Sequence, residues 1–154
     1  MSIEANKAIF RRWFEVEEVG RMQEAEKTPA QIEKVIRKLA AETFAPEFVL
    51  HSTEGDVSLE EYVESTIEFL GALPDFNCTV EDIITEGDKV VIRMTMGGTQ
   101  QGTYRGIPAT GKKIEISGVG IGRFAGGKMV EGWRYTDRLV LMQQLGVIPT
   151  PGQG

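Results

Sequence analysis

His51 is the single histidine among 154 residues, and imidazole is the side chain best matched to proton transfer near neutrality. Strand alternation turns it either to the core or away from it, and a hydrogen-bonded structural histidine is the competing role. Arg93 and Thr95 alternate with Ile92, Met94 and Met96, so they share one face of a strand. An arginine there either pairs with an acidic neighbour across the sheet or holds developing negative charge. Arg134 lies on a later strand. A guanidinium can anchor a carboxylate, enolate or phenolate, or polarise a carbonyl as its oxygen gains charge. An ion pair with Glu115 or Glu131 at a rim is the alternative. Asp137 is the remaining carboxylate of this region, and a helix N-cap, accepting backbone N–H bonds, is its preferred role. Cys78 is the only cysteine, which excludes an intrachain disulfide and a thiolate cluster. It reads as a small buried hydrophobe rather than a nucleophile. No metal-ligand cluster, phosphate loop or Ser–His–Asp set is visible, and neither metal nor cofactor is expected.

These residues need a scaffold. Apolar positions from Ile3 to Val19 recur at helical spacing through Ile9, Phe10, Trp13, Phe14 and Val16. Thr28 is the expected N-cap of a second helix, with Pro29 in its first turn and Gln31 completing a capping box. Ile32, Val35, Ile36, Leu39 and Ala40 form its apolar face. A short strand over Phe48–His51 follows Pro46. Ser58 caps a third helix that ends near Gly71 and Pro74. The period then changes to two. Strands are expected at Phe76–Thr85, Lys89–Gln101, Lys113–Phe124 and Lys128–Thr136, separated by glycine-rich turns. Their short links call for antiparallel hairpins. Asp137 then begins a last helix over Leu139–Leu145. Helices first and hairpins afterwards is the α+β pattern. The expected shape is a strongly curved, mixed or antiparallel sheet with the leading helices across its concave face, as one domain over 1–149 with a flexible tail at 150–154. Helices cannot fill such a cone, and the remaining space suits a small ligand.

The totals narrow the class. An apolar share of 41% and a charged share of 26% are ordinary for a globular domain. A net charge of -6 argues against a nucleic-acid partner, which needs clustered Lys and Arg. No apolar run reaches the length of a membrane span, and MSIEANK lacks a signal-peptide pattern. The expected setting is the cytoplasm, without a membrane or nucleic-acid partner.

The second half carries a recognisable series. Leu73-Pro74-Asp75-Phe76 leads to Glu86-Gly87-Asp88-Lys89-Val90, Gly98-Thr99-Gln100-Gln101-Gly102 and Arg105-Gly106-Ile107-Pro108-Ala109-Thr110-Gly111. Glu131-Gly132-Trp133-Arg134-Tyr135-Thr136-Asp137-Arg138 and Gln143-Gln144-Leu145-Gly146-Val147-Ile148-Pro149 close it. Order and spacing resemble the SnoaL-like polyketide (ester) cyclases. They form a branch of the cone-shaped superfamily of nuclear transport factor 2, ketosteroid isomerase and limonene epoxide hydrolase. The resemblance implies a homodimer and a pocket for a small apolar ligand, while the superfold hosts many chemistries.

Departures from the family pattern limit what carries over. Characterised members close a polyketide by an intramolecular aldol reaction, with an Asp on the strand before the last helix, where this chain has Arg134. Two further polar pocket positions, Gln and His in the family, fall on Gly118 and Gly120. Gln100 replaces the His of the Gly-Thr-His-x-Gly stretch. An arginine cannot accept a proton near neutrality.

Three functional readings remain. In the first, a cofactor-independent cyclase, isomerase or dehydratase acts on an apolar carbonyl compound. His51 then carries the proton and Arg93 or Arg134 holds the oxyanion, beside a wall of Trp13, Phe14, Phe48, Thr95, Gly118 and Gly120. In the second, the pocket binds a ligand without acting on it, and in the third the cone chiefly dimerises through Val91, Val119 or Ile121. An epoxide hydrolase-like reaction, which joins an Arg to two Asp, finds only Arg93 as a loose match. Gly118, Gly120 and Gly122 either make room for a ligand or let the sheet bend and a helix approach.

Overall fold

The structure is a computed structural model that describes residues 2–152. Gln153 and Gly154, part of the tail expected at 150–154, lie outside the described residues. Helix α1 (Ile3–Glu15) starts where the Ser2 hydroxyl accepts the Ala5 N–H at 3.1 Å. It stops at Val16, whose φ of 43° is left-handed. That conformation is unfavourable for a β-branched residue, so the single helical run expected to Val19 is broken into α1 and α2 (Glu17–Gly20). The bend turns Val16 and Val19 into the core. Lys27, beyond a 3₁₀ turn at Glu24–Glu26, donates to the Pro74 carbonyl at 2.8 Å. The charged stretch 17–27 thus folds back against the body of the protein.

Helix α3 (Pro29–Thr43) is capped by Thr28 and α4 (Leu59–Ala72) by Ser58, each hydroxyl accepting the N–H three residues on. Helix α5 (Arg138–Gln144) is capped by the Asp137 carboxylate at 3.1 Å from the Val140 nitrogen. The strands are β1 (Phe44–Ser52), β2 (Gly55–Ser58), β3 (Asn77–Glu86), β4 (Lys89–Thr99), β5 (Lys113–Ala125) and β6 (Lys128–Thr136). They form one open sheet in the order β2-β1-β6-β5-β4-β3. Neighbours are antiparallel except β1 and β6, which run parallel. Strand β1 is longer than the expected Phe48–His51. It accommodates exposed Pro46 beside a register shift between Phe44 and Val49. The four-residue β2 had no alternating signal long enough to read. Gly126 and Gly127 (φ 59° and 81°) close the β5–β6 hairpin in the positive-φ pair that a two-residue turn requires.

The concave face of the sheet buries Val90, Ile92 and Met94 against α1, α3 and α4. A second, smaller cluster of Leu73, Ile114, Ile116, Leu141 and Leu145 lies under α5. Phe76 and Met96 pack against both clusters. Of the β5 glycines, Gly120 lets α1 come close, while Gly118 and Gly122 are covered by side chains of neighbouring strands. A Cβ on Gly120 would stand 2.6 Å from Phe14 Cζ, one on Gly122 2.9 Å from Met129 Sδ, and one on Gly118 2.9 Å from Thr136 Cγ2. The space opposite these glycines is therefore filled by side chains. Gly118 and Gly120 serve close packing and open no room for a ligand.

Candidate functional site

The seam between the two apolar clusters is imperfectly filled and leaves a cavity of about 110 Å³. Trp13 and Phe14 from α1, Phe69 and Leu70 from α4, Ile116 from β5 and Leu141 from α5 build its apolar wall. Trp13 Nε1 donates to the Tyr62 hydroxyl at 2.8 Å. The Tyr62 proton has no acceptor among the described residues and remains available to a ligand oxygen. Ser65 and Thr66 also line the cavity, but both hydroxyls donate to the Tyr62 carbonyl.

Three arginines line the same cavity: Arg105, Arg134 and Arg138. Arg134 is on β6 opposite Gly120, half-buried, with its guanidinium carbon 5.3 Å from the centre of the Tyr62 ring. Among the described residues it has no carboxylate partner. Glu115 and Glu131, its expected partners, do not reach it. Glu131 instead binds His51 and Arg123. Arg105 and Arg138 share Glu54, which lies in the link between β1 and β2, with Arg105 Nη1 at 3.1 Å from Oε2. Arg105 has a left-handed φ of 48°, and its N–H donates to Glu68 Oε1 at 2.5 Å.

The loop that carries Tyr104 and Arg105 is organised by Gln100, which is 1% exposed. Its amide nitrogen donates to the carbonyls of Gly102, Ile107 and Pro108, and its oxygen accepts from Thr110 N and Oγ1. Gln100 is thus a loop clamp with no reach to spare for a ligand. Burial pushes the Tyr104 phenol above its ordinary pKa, against the pull of Arg105 and Arg134. Near neutrality Tyr104 stays protonated and can donate.

His51 lies elsewhere. It pairs with Trp133 across β1 and β6 and with Asp56 across β1 and β2. Its Nδ1 is 2.6 Å from Asp56 Oδ1 and its Nε2 2.7 Å from Glu131 Oε2. Each ring nitrogen faces a carboxylate oxygen, which when ionised can only accept, so the surroundings favour the protonated ring. Asp56 first, then Glu131, raise its pKa. This corrects the expectation that His51 shuttles protons in the pocket: it stands on the outer face, held between two acids. Arg93 and Thr95 need the same correction. Arg93 is paired with Asp82 at 2.7 Å and Thr95 bonded to Glu81 at 3.0 Å, and both point away from the cavity that their neighbour Met96 lines. Phe48, 2% exposed, is packed between Phe44, Tyr62 and Gly132 behind the wall. Of the expected wall residues, Trp13 and Phe14 line the cavity while Phe48, Thr95, Gly118 and Gly120 do not. Burial pushes the Cys78 thiol up to about 12, which makes it a poor nucleophile at neutral pH.

Nothing in local spacing marks Tyr62, Tyr104, Arg105 or Arg138 as site residues: Tyr62 falls among the apolar positions of α4, and Arg105 and Arg138 stand in segments that carry only the family resemblance.

The family model for SnoaL-like polyketide cyclases matches residues 30–145. The chain belongs to the SnoaL-like polyketide cyclase family. No curated protein matches it. Among solved structures, this SnoaL-like chain is similar to AclR from Streptomyces galilaeus, proposed to be a hydroxylase. The identity is 27%, covering 96% of this chain and 100% of that one, with a TM-score of 0.74. It is also similar to IdmH from Streptomyces antibioticus, proposed to be a polyketide cyclase, at 27% identity over 77% of this chain and 92% of that one (TM-score 0.61). A protein of ketosteroid isomerase-like fold from Catenulispora acidiphila, in complex with trimethylamine, shares the fold at 14% identity, 96% coverage of both chains and a TM-score of 0.61. Two neighbours of equal identity carry different proposed reactions, so the reaction must be argued from this chain's own cavity.

Proposed function

We propose that this protein binds an apolar, polyketide-like carbonyl compound in the cavity and promotes a cofactor-independent cyclisation, isomerisation or dehydration of it. The observation that carries the reading is Arg134, a guanidinium on the wall of an apolar cavity with no carboxylate partner among the described residues. Such a group stabilises an enolate more than the parent ketone, which is the condition for catalysis. The hydrogens between two carbonyls of a polyketide are acidic enough for a weak base to remove once the enolate is paired. In an aldol closure the α-carbon loses its proton to a solvent water, no His, Asp or Glu lying among the described cavity-lining residues, and its electron pair forms the new C–C bond at the second carbonyl. The alkoxide so formed takes a proton back. The apolar wall holds the chain folded for this step, and Tyr62 and Tyr104 donate to the reacting oxygens.

Benzoylacetone, an apolar 1,3-diketone with distinct enol and enolate absorption, tests the reading. Wild-type protein and His51→Ala should both shift the bound probe toward enolate, and Arg134→Ala should not. An equal shift in Arg134→Ala would overturn it.

A second reading, binding without turnover, is favoured by the absence of any His, Asp or Glu among the described cavity-lining residues. The same absence leaves an epoxide hydrolase-like acid pair without candidates. A polyketide recovered unchanged from long incubation would support binding alone. The reading also takes the protein to be a homodimer in the cytoplasm, joined through the outer sheet face. Ile84 and Tyr135 there are 63% and 51% exposed, and Val91, Val119 and Ile121 are half-buried. Sedimentation at micromolar concentration, with Ile121→Glu as the disrupting variant, tests the association. No helix among the described residues is long and apolar enough to cross a membrane.

A further inference from the structure

Resting on the reading of the cavity as a ligand site, we propose that its ligand is an acid: an apolar body ending in a carboxylate. The charged end would be held by Arg134 with Arg105 and Arg138. Among the described residues three guanidiniums line this one cavity and no carboxylate does, in a protein whose net charge is -6. Among the described residues Glu54 bridges the guanidiniums of Arg105 and Arg138 and Glu68 accepts the Arg105 backbone N–H, while Arg134 is left unmatched. Three guanidiniums against the carboxylates of Glu54 and Glu68 leave the mouth one positive charge in surplus, at Arg134, which an ester or a ketone cannot balance. A ligand without charge would cover Arg134 and offer only neutral carbonyl acceptors in place of its water, which compensates the buried charge poorly. A carboxylate would bond a guanidinium fork through two oxygens.

Glu54 shows what this mouth accepts. It is a half-exposed carboxylate, its side chain 48% accessible, on a tight turn, seated between two arginines that come from distant segments. Arg105 reaches it from the loop pinned by Gln100, held in its left-handed conformation by the N–H bond to Glu68. Arg138 reaches it from the first residue of α5. A ligand carboxylate arriving at Arg134 would compete with Glu54 for these two partners. Glu54 therefore weakens acid binding, and its removal strengthens it.

Calorimetric titration with 2-naphthoate and with its methyl ester, which share one apolar body, tests the proposal at neutral pH and low salt. The acid should bind at least about tenfold tighter than the ester, a ratio that added salt reduces. Arg134→Ala should bring the ratio near one, and Glu54→Gln should raise it severalfold. The wild-type comparison needs no variant to fold. If the ester binds as tightly as the acid, the cavity remains a ligand site and the acid inference falls. It falls equally if Glu54→Gln lowers the ratio while the thermal melt is unchanged. If neither probe binds, the cavity reading fails and takes this inference with it.

Discussion

Side chains along β6 alternate between two settings, and the two sides of the sheet treat charge differently. Outward, Glu131 meets His51 and Arg123, and farther across the sheet Arg93 on β4 meets Asp82 on β3. Every one of these cations has a carboxylate at hydrogen-bond distance. Inward, Arg134 stands on an apolar wall with the Tyr62 ring beneath it and no carboxylate within reach among the described residues. Exposed pairs of the outer kind contribute about 0–1 kcal/mol each and are satisfied as they stand. A charge left unmatched beside a cavity is costly to keep unless a ligand completes it. The paired charges thus mark a surface, and the unmatched one marks a site.

The sharpest way to break this contrast is on the inner side. Trp13 is 3% exposed, meets Phe44 edge-on at 4.7 Å and bonds Tyr62. Trp13→Ala should lower unfolding free energy by about 3–5 kcal/mol, read by denaturant titration. A loss below about 1 kcal/mol would mean that the cavity wall is not part of the core. Next in size, Arg134→Ala should weaken binding of an anionic apolar probe by about 1.5–3 kcal/mol, with a small change in melting temperature. Gly120→Ala should cost about 1–3 kcal/mol of stability, because its Cβ would sit 2.6 Å from Phe14 Cζ. If that variant were as stable as wild type, the close-packing account of the glycine stripe would be wrong.

On the outer face the effects shrink. Arg93→Ala should change stability by less than about 1 kcal/mol and leave probe binding unaltered. His51 adds a pH signature. Its pKa is raised from 6.5 by Asp56 and then Glu131, so its stabilising effect is complete below that value and fades as pH climbs through the raised one. Glu131 is shifted the other way, below 4.5, by His51 and then Arg123. Its contribution is present above 4.5 and fades as pH falls through the lowered value. The cluster therefore supports the fold most fully between about 4.5 and 6.5. Melting temperatures of wild type and His51→Gln should differ most in that window and converge on the alkaline side. A difference that grew with pH would contradict the upward shift of His51.

Much of the architecture was readable along the chain. Ser58, Thr28 and Asp137 cap helices because each offers a short-range acceptor to an N–H three residues later, and no distant contact is needed for that. The change from a period of three or four to a period of two marked the onset of β3 to β6, and the glycines of the β5–β6 turn announced their hairpin. The break at Val16 carried no glycine or proline to signal it. Strand β2 was too short to alternate visibly.

What the amino-acid order determined alone was therefore local: caps, periods and turns, together with motif spacings that point to the SnoaL-like family. Which face each functional side chain occupies was decided by tertiary pairing. A strand offers two faces, and only the parallel register of β1 on β6, with His51 beside Trp133, tells that His51 faces outward. The antiparallel pairing of β5 with β6 sets Arg134 opposite Gly120, on the inward face. The mouth is assembled from positions 54, 105, 134 and 138, which have no fixed spacing in sequence. Their meeting is a property of the folded sheet, because charges select partners by distance in space.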